Sequence, residues 1–131
     1  MGRTNINFVH ANKIDSLRTL PAFDVFFSRF VLQHDPPPVM EYILNIILPK
    51  LNAGGIGYFQ ISTYKVGYEF DPVSYLASPI DVRRPEMHMF PQPLLFRLLA
   101  NHGCEVFELR EDLPGGPKTI SFHILLKKAE A

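Results

Sequence analysis

An α/β domain with a mostly parallel sheet closing in an antiparallel hairpin is the fold class this sequence predicts. Three observations predict it. Short β-branched or aromatic runs alternate with segments of helical period. The helical stretch VMEYILNIIL passes through LPKLNAGG into the apolar run IGYFQIST within a few residues, as in a crossover that lays one strand beside another. Finally, CEVFEL and ISFHILLKK are strand-like runs separated only by a turn-rich link, so they should pair antiparallel.

Each element can be justified in order. INFVH (residues 6–10) is β-branched and aromatic and reads as a first strand. ANKIDSLRTLPA is a connection with room for one helical turn, stopped by Pro21. FDVFFS (residues 23–28) is apolar at nearly every position after Asp24, the mark of a strand buried on both faces. Prolines 36–38 and Asp35 suit a helix start, because a first-turn N–H has no partner to lose. Val39, Ile43, Ile46, Ile47 and Leu51 recur at spacings of three and four and define one apolar face. Pro49 should end or kink that helix near Leu48. Gly54 or Gly55 is then expected to close it in the left-handed conformation, before the strand IGYFQIST. Residues 64–90 lack a clear period and read as a long loop or lid with at most a helical turn. A helix over residues 91–103 stops on Gly103, and the two hairpin strands follow.

Bulk composition limits the function classes. The 131 residues suit one domain, here taken as 1–131 with the lid inserted at 64–90. Apolar residues make up 47% and charged residues 20%, a globular composition. Thirteen basic and 13 acidic side chains give a net charge of +0, which leaves no excess to hold phosphate backbones, so nucleic acid is not expected as a partner. No run approaches the ~18 apolar residues of a membrane span. The single cysteine, Cys104, allows no internal disulfide and reads as a core residue. A cytoplasmic location is the expectation. His10, His34, His88, His102 and His123 show no metal-ligand spacing, and no nucleophile elbow is visible.

The combination LPAFDVFFSRFVLQHDPPP, LPKLNAGG, a strand, a variable loop, LLANHGCEVFEL and a closing strand resembles the second half of a class I S-adenosylmethionine-dependent methyltransferase. The resemblance covers roughly residues 6–127, and its most specific part is FDVFFSRFVLQH joined to LNAGG at this spacing. It implies a partial Rossmann-like methyltransferase fold in which residues 6–10 match the family's third strand. The family's glycine-rich cofactor loop and the acidic residue that grips the ribose have no counterpart among these residues. Gly54, Gly55 and Gly57 sit elsewhere. The resemblance therefore implies an incomplete cofactor pocket: a fragment, a degenerate paralogue, or one half of an assembly. The strand at residues 23–28 would then expose an edge that invites pairing with a second copy or a partner chain.

Candidate site residues follow from the same match. Asn12 and Ile14 fall where the family contacts the adenine; the alternative for Asn12 is a simple turn. Ser28, Arg29 and Phe30 fall where the methionine part of S-adenosylmethionine lies. His34 matches a histidine near the acceptor and suits a general base, against the alternative of a helix-start contact beside Asp35. Gln33, Gln60 and Tyr64 are candidate acceptor contacts, although a strand glutamine is more simply a backbone-satisfied structural residue. Arg83, Arg84 and His88 lie in the lid and would suit an anionic or sugar-like acceptor; a solvated arginine pair is the plainer outcome. The implied function is methyl transfer to a small molecule by direct displacement, as part of a fuller chain. The alternative is a non-catalytic methyltransferase-like interaction or regulatory module. An oxidoreductase is disfavoured because its G-x-G-x-x-G turn is missing as well.

Overall fold

The structure, a computed structural model, describes residues 5–112 and 115–131. Residues 113 and 114 of the expected REDLPGGPKT link lie outside the described residues. Four strands form one open sheet: β1 (Phe23–Ser28), β2 (Leu51–Lys65), β3 (Cys104–Asp112) and β4 (Thr119–Lys128), in the order β1-β2-β4-β3. Helix α1 (Pro37–Ile47) joins β1 to β2, and α2 (Pro72–Ala77) and α3 (Gln92–Asn101) lie between β2 and β3. β1 pairs parallel with β2, while β4 runs antiparallel to both β2 and β3. Three strands therefore share one direction and β4 alone opposes them. One ladder is thus parallel and two are antiparallel, with the terminal hairpin where the sequence pattern predicts it.

Helices α1 and α3 cover one face. Phe59 and Ile61 alternate toward it from β2, and Ile124 and Leu126 from β4. They meet Met40, Leu44 and Leu48 from the first helical segment and Leu95, Leu98 and Leu99 from α3. Each such side chain contributes about 1.5–3 kcal/mol by leaving water. Cys104 is buried in the same cluster, as expected. The opposite face is different. Val25, Phe27 and Ile56 are 66%, 65% and 47% exposed, and Tyr58 stacks on Phe27 at 5.8 Å.

Four expectations are corrected. Residues 6–10 form no strand; Ile6, Phe8 and Val9 are exposed, because no neighbouring strand among the described residues offers them a ladder. β1 is an edge strand, not one buried on both faces, so its apolar run reflects an uncovered surface. The apolar face of α1 is rotated: Met40, Leu44, Ile46 and Ile47 are buried, while Val39 and Ile43 are only half-buried. Lastly, the glycine pair does not stop the helix. A short 3₁₀ turn, Leu48–Lys50, containing Pro49 does so, and β2 has already begun at Leu51. Gly54, with φ of 75°, lies inside β2, where the pairing jumps from Phe23↔Leu51 to Val25↔Ile56. This is a bulge. A Cβ on Gly55 would lie 2.7 Å from Leu51 Cδ1, 2.8 Å from the Asn52 carbonyl oxygen and 3.0 Å from that of Asp24. Asn52 Nδ2 donates to Asp24 Oδ1 at 2.9 Å and ties the bulge to β1.

Candidate functional site

Ligands of open α/β sheets bind beyond the carboxyl ends of the parallel strands. Here that rim is made by the segment after β1, the end of β2 and the lid that follows it.

The segment after β1 turns sharply. Phe30 has φ of 55°, a left-handed conformation costly for a bulky residue. Its N–H donates to Gln60 Oε1 at 3.2 Å, and the Arg29 guanidinium lies 4.6 Å over its ring. Gln60 is fully buried. Its Nε2 donates to Gln33 Oε1 (2.9 Å) and Ser121 Oγ (2.6 Å), and Ser62 Oγ donates to Gln33 Oε1 (3.3 Å). Gln33 and Gln60 thus form a closed amide network under the rim, with Gln60 offering no surface to an acceptor. That matches the plainer alternative for this residue, except that its partners are chiefly side chains. Ser28 is buried at the strand end.

His34 is half-buried, and its Nδ1 lies 2.8 Å from the Glu86 carbonyl oxygen. A carbonyl only accepts, so Nδ1 carries the proton and the neutral ring keeps its free lone pair on Nε2. The segment between β2 and α3 packs around His88, which is 8% exposed. The Tyr68 hydroxyl is 2.8 Å from His88 Nδ1, and Glu86 Oε1 is 3.0 Å from Nε2. Tyr68, Phe70 and Tyr75 place their rings edge-on to the imidazole at 6.0, 5.8 and 5.7 Å. Tyr75 donates to Glu86 Oε2 at 3.2 Å. Two backbone bonds stitch the lid down: His88 N–H to the Gln33 oxygen (2.7 Å) and Phe90 N–H to the Ser62 oxygen (2.8 Å). The hydrogen bond from His88 holds the Glu86 carboxyl below its ordinary range, while burial pushes the Asp35 carboxyl up.

The expected residues are not gathered in one place. Ser28 and Arg29 line an apolar groove of about 420 Å³ along β1, together with Phe26, Phe27 and Ile43. Asn12 and Ile14 do not line it. Asn12 is exposed and accepts from Ser16 Oγ at 3.2 Å, which is the turn alternative. Arg83 pairs with Asp81 in solvent, and Arg84 is exposed beside it. Such a pair contributes little. Tyr64 lines a separate cleft of about 450 Å³ between the starts of α1 and α3. His88 is enclosed by the aromatic rings of the lid, whose clustering around one imidazole the spacing of the lid sequence did not reveal. Sequence reasoning also missed a polar line across the open face: Tyr58 Oη is 2.9 Å from His123 Nδ1, and His123 Nε2 is 2.7 Å from Asp112 Oδ2. The last pair is close in distance but out of line for a hydrogen bond. Cross-strand register, not sequence spacing, brings these three together. Among the described residues no cluster of His, Cys, Asp or Glu is arranged to hold a metal, and no helix is long and apolar enough to cross a membrane.

The fold resembles part of that found in solved S-adenosylmethionine-dependent methyltransferases. An S-adenosylmethionine-dependent methyltransferase from Methanosarcina mazei superposes with a TM-score of 0.59 at 19% identity, over 88% of this chain and 65% of that one. Magnesium protoporphyrin IX methyltransferase from Synechocystis, with bound S-adenosylhomocysteine, gives 0.59 at 10% identity, over 86% and 48%. An N-methyltransferase from Bradyrhizobium japonicum in complex with S-adenosylhomocysteine gives 0.59 at 14%, over 92% and 54%. This chain thus spans between about half and two-thirds of each. No family model and no curated protein matches the sequence.

Of the expected cofactor contacts, two line a common groove. Ser28, Arg29 and the apolar groove along β1 are present. A glycine-rich turn and a ribose-binding carboxylate next to β1 are not found among the described residues, where β1 is the sheet edge.

Proposed function

We propose that this chain takes part in S-adenosylmethionine-dependent methyl transfer to a small-molecule acceptor, as the downstream part of a fuller domain or assembly. The fold carries this reading, with the neighbours of known cofactor in support. A bound sulfonium donor supplies direct displacement of its methyl group onto the acceptor. What these residues supply is alignment and, at His34 Nε2, a lone pair free to take a proton from an acceptor hydroxyl or amine. The buried Gln33–Gln60 network holds the turn that carries Phe30 and His34. On this reading of an incomplete pocket, the isolated polypeptide is expected to bind S-adenosylmethionine weakly and to turn over little. Titration calorimetry checks this: millimolar or undetectable binding is expected, and micromolar binding overturns the incomplete-pocket reading.

A second reading has its own support. The uncovered sheet face with Val25, Phe27 and Ile56, together with the free edge of β1, suits a non-catalytic module that pairs with a partner chain or a second copy. Methyl transfer assayed after assembly with a polypeptide that completes the sheet separates the two. Activity favours the first reading, and tight assembly without activity favours the second.

A further inference from the structure

We propose that the cleft between α1, the end of β2 and the start of α3 binds a small organic cation with an apolar body. The cleft holds about 450 Å³, the size of a small-molecule site. Helices α1, α2 and α3 all start on its rim, and a helix start ordinarily offers free N–H groups to an anion. Here prolines reduce that offer. Pro37 and Pro38 in α1 have no N–H, and the next two donors, Val39 and Met40, both bond the Pro36 carbonyl at 2.9 and 3.0 Å. Pro91 and Pro93 flank the start of α3, and Leu95 N–H bonds the Pro91 carbonyl at 3.0 Å. The Thr63 hydroxyl is likewise engaged by Gln92 Nε2 at 3.0 Å. Proline thus removes donors at these starts, while the Gln92 and Leu94 N–H groups of α3 keep no backbone partner among the described residues.

The remaining wall is aromatic and acidic. Tyr64, Tyr68 and Phe70 line it. Two of these rings are fixed in advance: Tyr68 by its hydroxyl on His88, and Phe70 by Tyr75 and His88 at 5.4 and 5.8 Å. Aromatic faces attract cations through their quadrupole, and Arg or Lys need not be the source of the charge. Glu41 and Glu69 line the cleft against a single ammonium, Lys65, and none of the three is in an ion pair among the described residues. The cleft therefore carries an excess of one negative charge beside fixed rings. That is the chemistry that recognises an amine. His34, Ser28 and Arg29 do not line it, so the cleft is separate from the donor groove, although Tyr64, a candidate acceptor contact, is on its wall.

The test uses the intact polypeptide and three probes of one shape: benzylamine, benzyl alcohol and benzoate, followed by amide NMR shifts. Benzylamine should shift Lys65, Phe70 and Leu94 saturably and bind about tenfold more tightly than the other two, equivalent to about 1.4 kcal/mol. Glu41→Gln with Glu69→Gln should erase that preference while the remaining amide spectrum stays in place. If the double variant loses its fold, Glu41→Gln alone should narrow the preference. Benzoate or benzyl alcohol binding as tightly as benzylamine overturns the proposal, as does an absence of saturable shifts or their appearance elsewhere. S-Adenosylmethionine takes no part in this measurement, so its result is independent of the cofactor titration.

Discussion

Gln60 shows how one polar side chain can hold a site from beneath. It stands in the middle of β2 with no exposure, and its amide serves Phe30, Gln33 and Ser121 at once. Its carbonyl oxygen receives the one N–H that must point inward if Phe30 is to stay left-handed. Gln60→Leu keeps the volume roughly constant but strands that N–H and removes one of the two donors to the Gln33 oxygen. The expected cost is about 1–3 kcal/mol for each buried group left without a partner, read as a lower denaturant midpoint. Tighter folding of the leucine variant would refute the network's role. In the sequence Gln60 read most simply as a strand glutamine satisfied by backbone; in the structure its amide nitrogen bonds side chains. Its partners could not be read, because they come from positions 27 residues upstream and 61 downstream.

At the scale of elements, the lid behaves as a small packed unit tied to a histidine. His88, Glu86, Tyr68 and Tyr75 are joined by hydrogen bonds, and Phe70 closes the ring cluster. Glu86 titrates below its ordinary value of 4.5, chiefly because it accepts from His88. A carboxyl whose pKa falls on folding stabilises above its unfolded pKa, and that contribution fades as pH drops through the folded value. The lid should therefore loosen below pH ~4.5, seen as loss of amide protection over residues 68–88 before the sheet opens, and Glu86→Gln should remove that pH dependence. Helices and strands longer than this were largely legible, since period and proline placement are local signals. α1, α3 and the terminal hairpin fall close to where the pattern puts them, while β2 starts earlier, at Leu51. The glycine pair was misread because helix closure and a strand bulge both call for a left-handed glycine, and only the pairing partner tells them apart. The strand expected at residues 6–10 failed for a related reason: strand propensity needs a neighbour to pair with.

For the whole molecule the decisive feature is asymmetry. One sheet face is packed by two helices, while the other shows Val25, Phe27 and Ile56 to solvent beside the free edge of β1. Such an edge is a template for another strand. Concentrated protein should self-associate through β1 in sedimentation experiments, and Val25→Lys with Phe27→Lys should shift it toward monomer with little change in the helix-side core. A monomer at high concentration before substitution would argue against this. The overall fold was legible because strand order follows from crossover length and hairpin turns. The site was less so: Ser28 and Arg29 line the groove along β1, whereas Asn12 and Ile14 do not, and sequence spacing alone does not give that separation.

The open face also carries its own optical label. The chain has five tyrosines and no tryptophan, so its ultraviolet emission is tyrosine emission alone. One of the five, Tyr58, lies flat against the solvent-exposed ring of Phe27 with its hydroxyl on His123. Any body that settles on this surface must change the polarity around that phenol, and the arrival can be followed by fluorescence without attaching a dye.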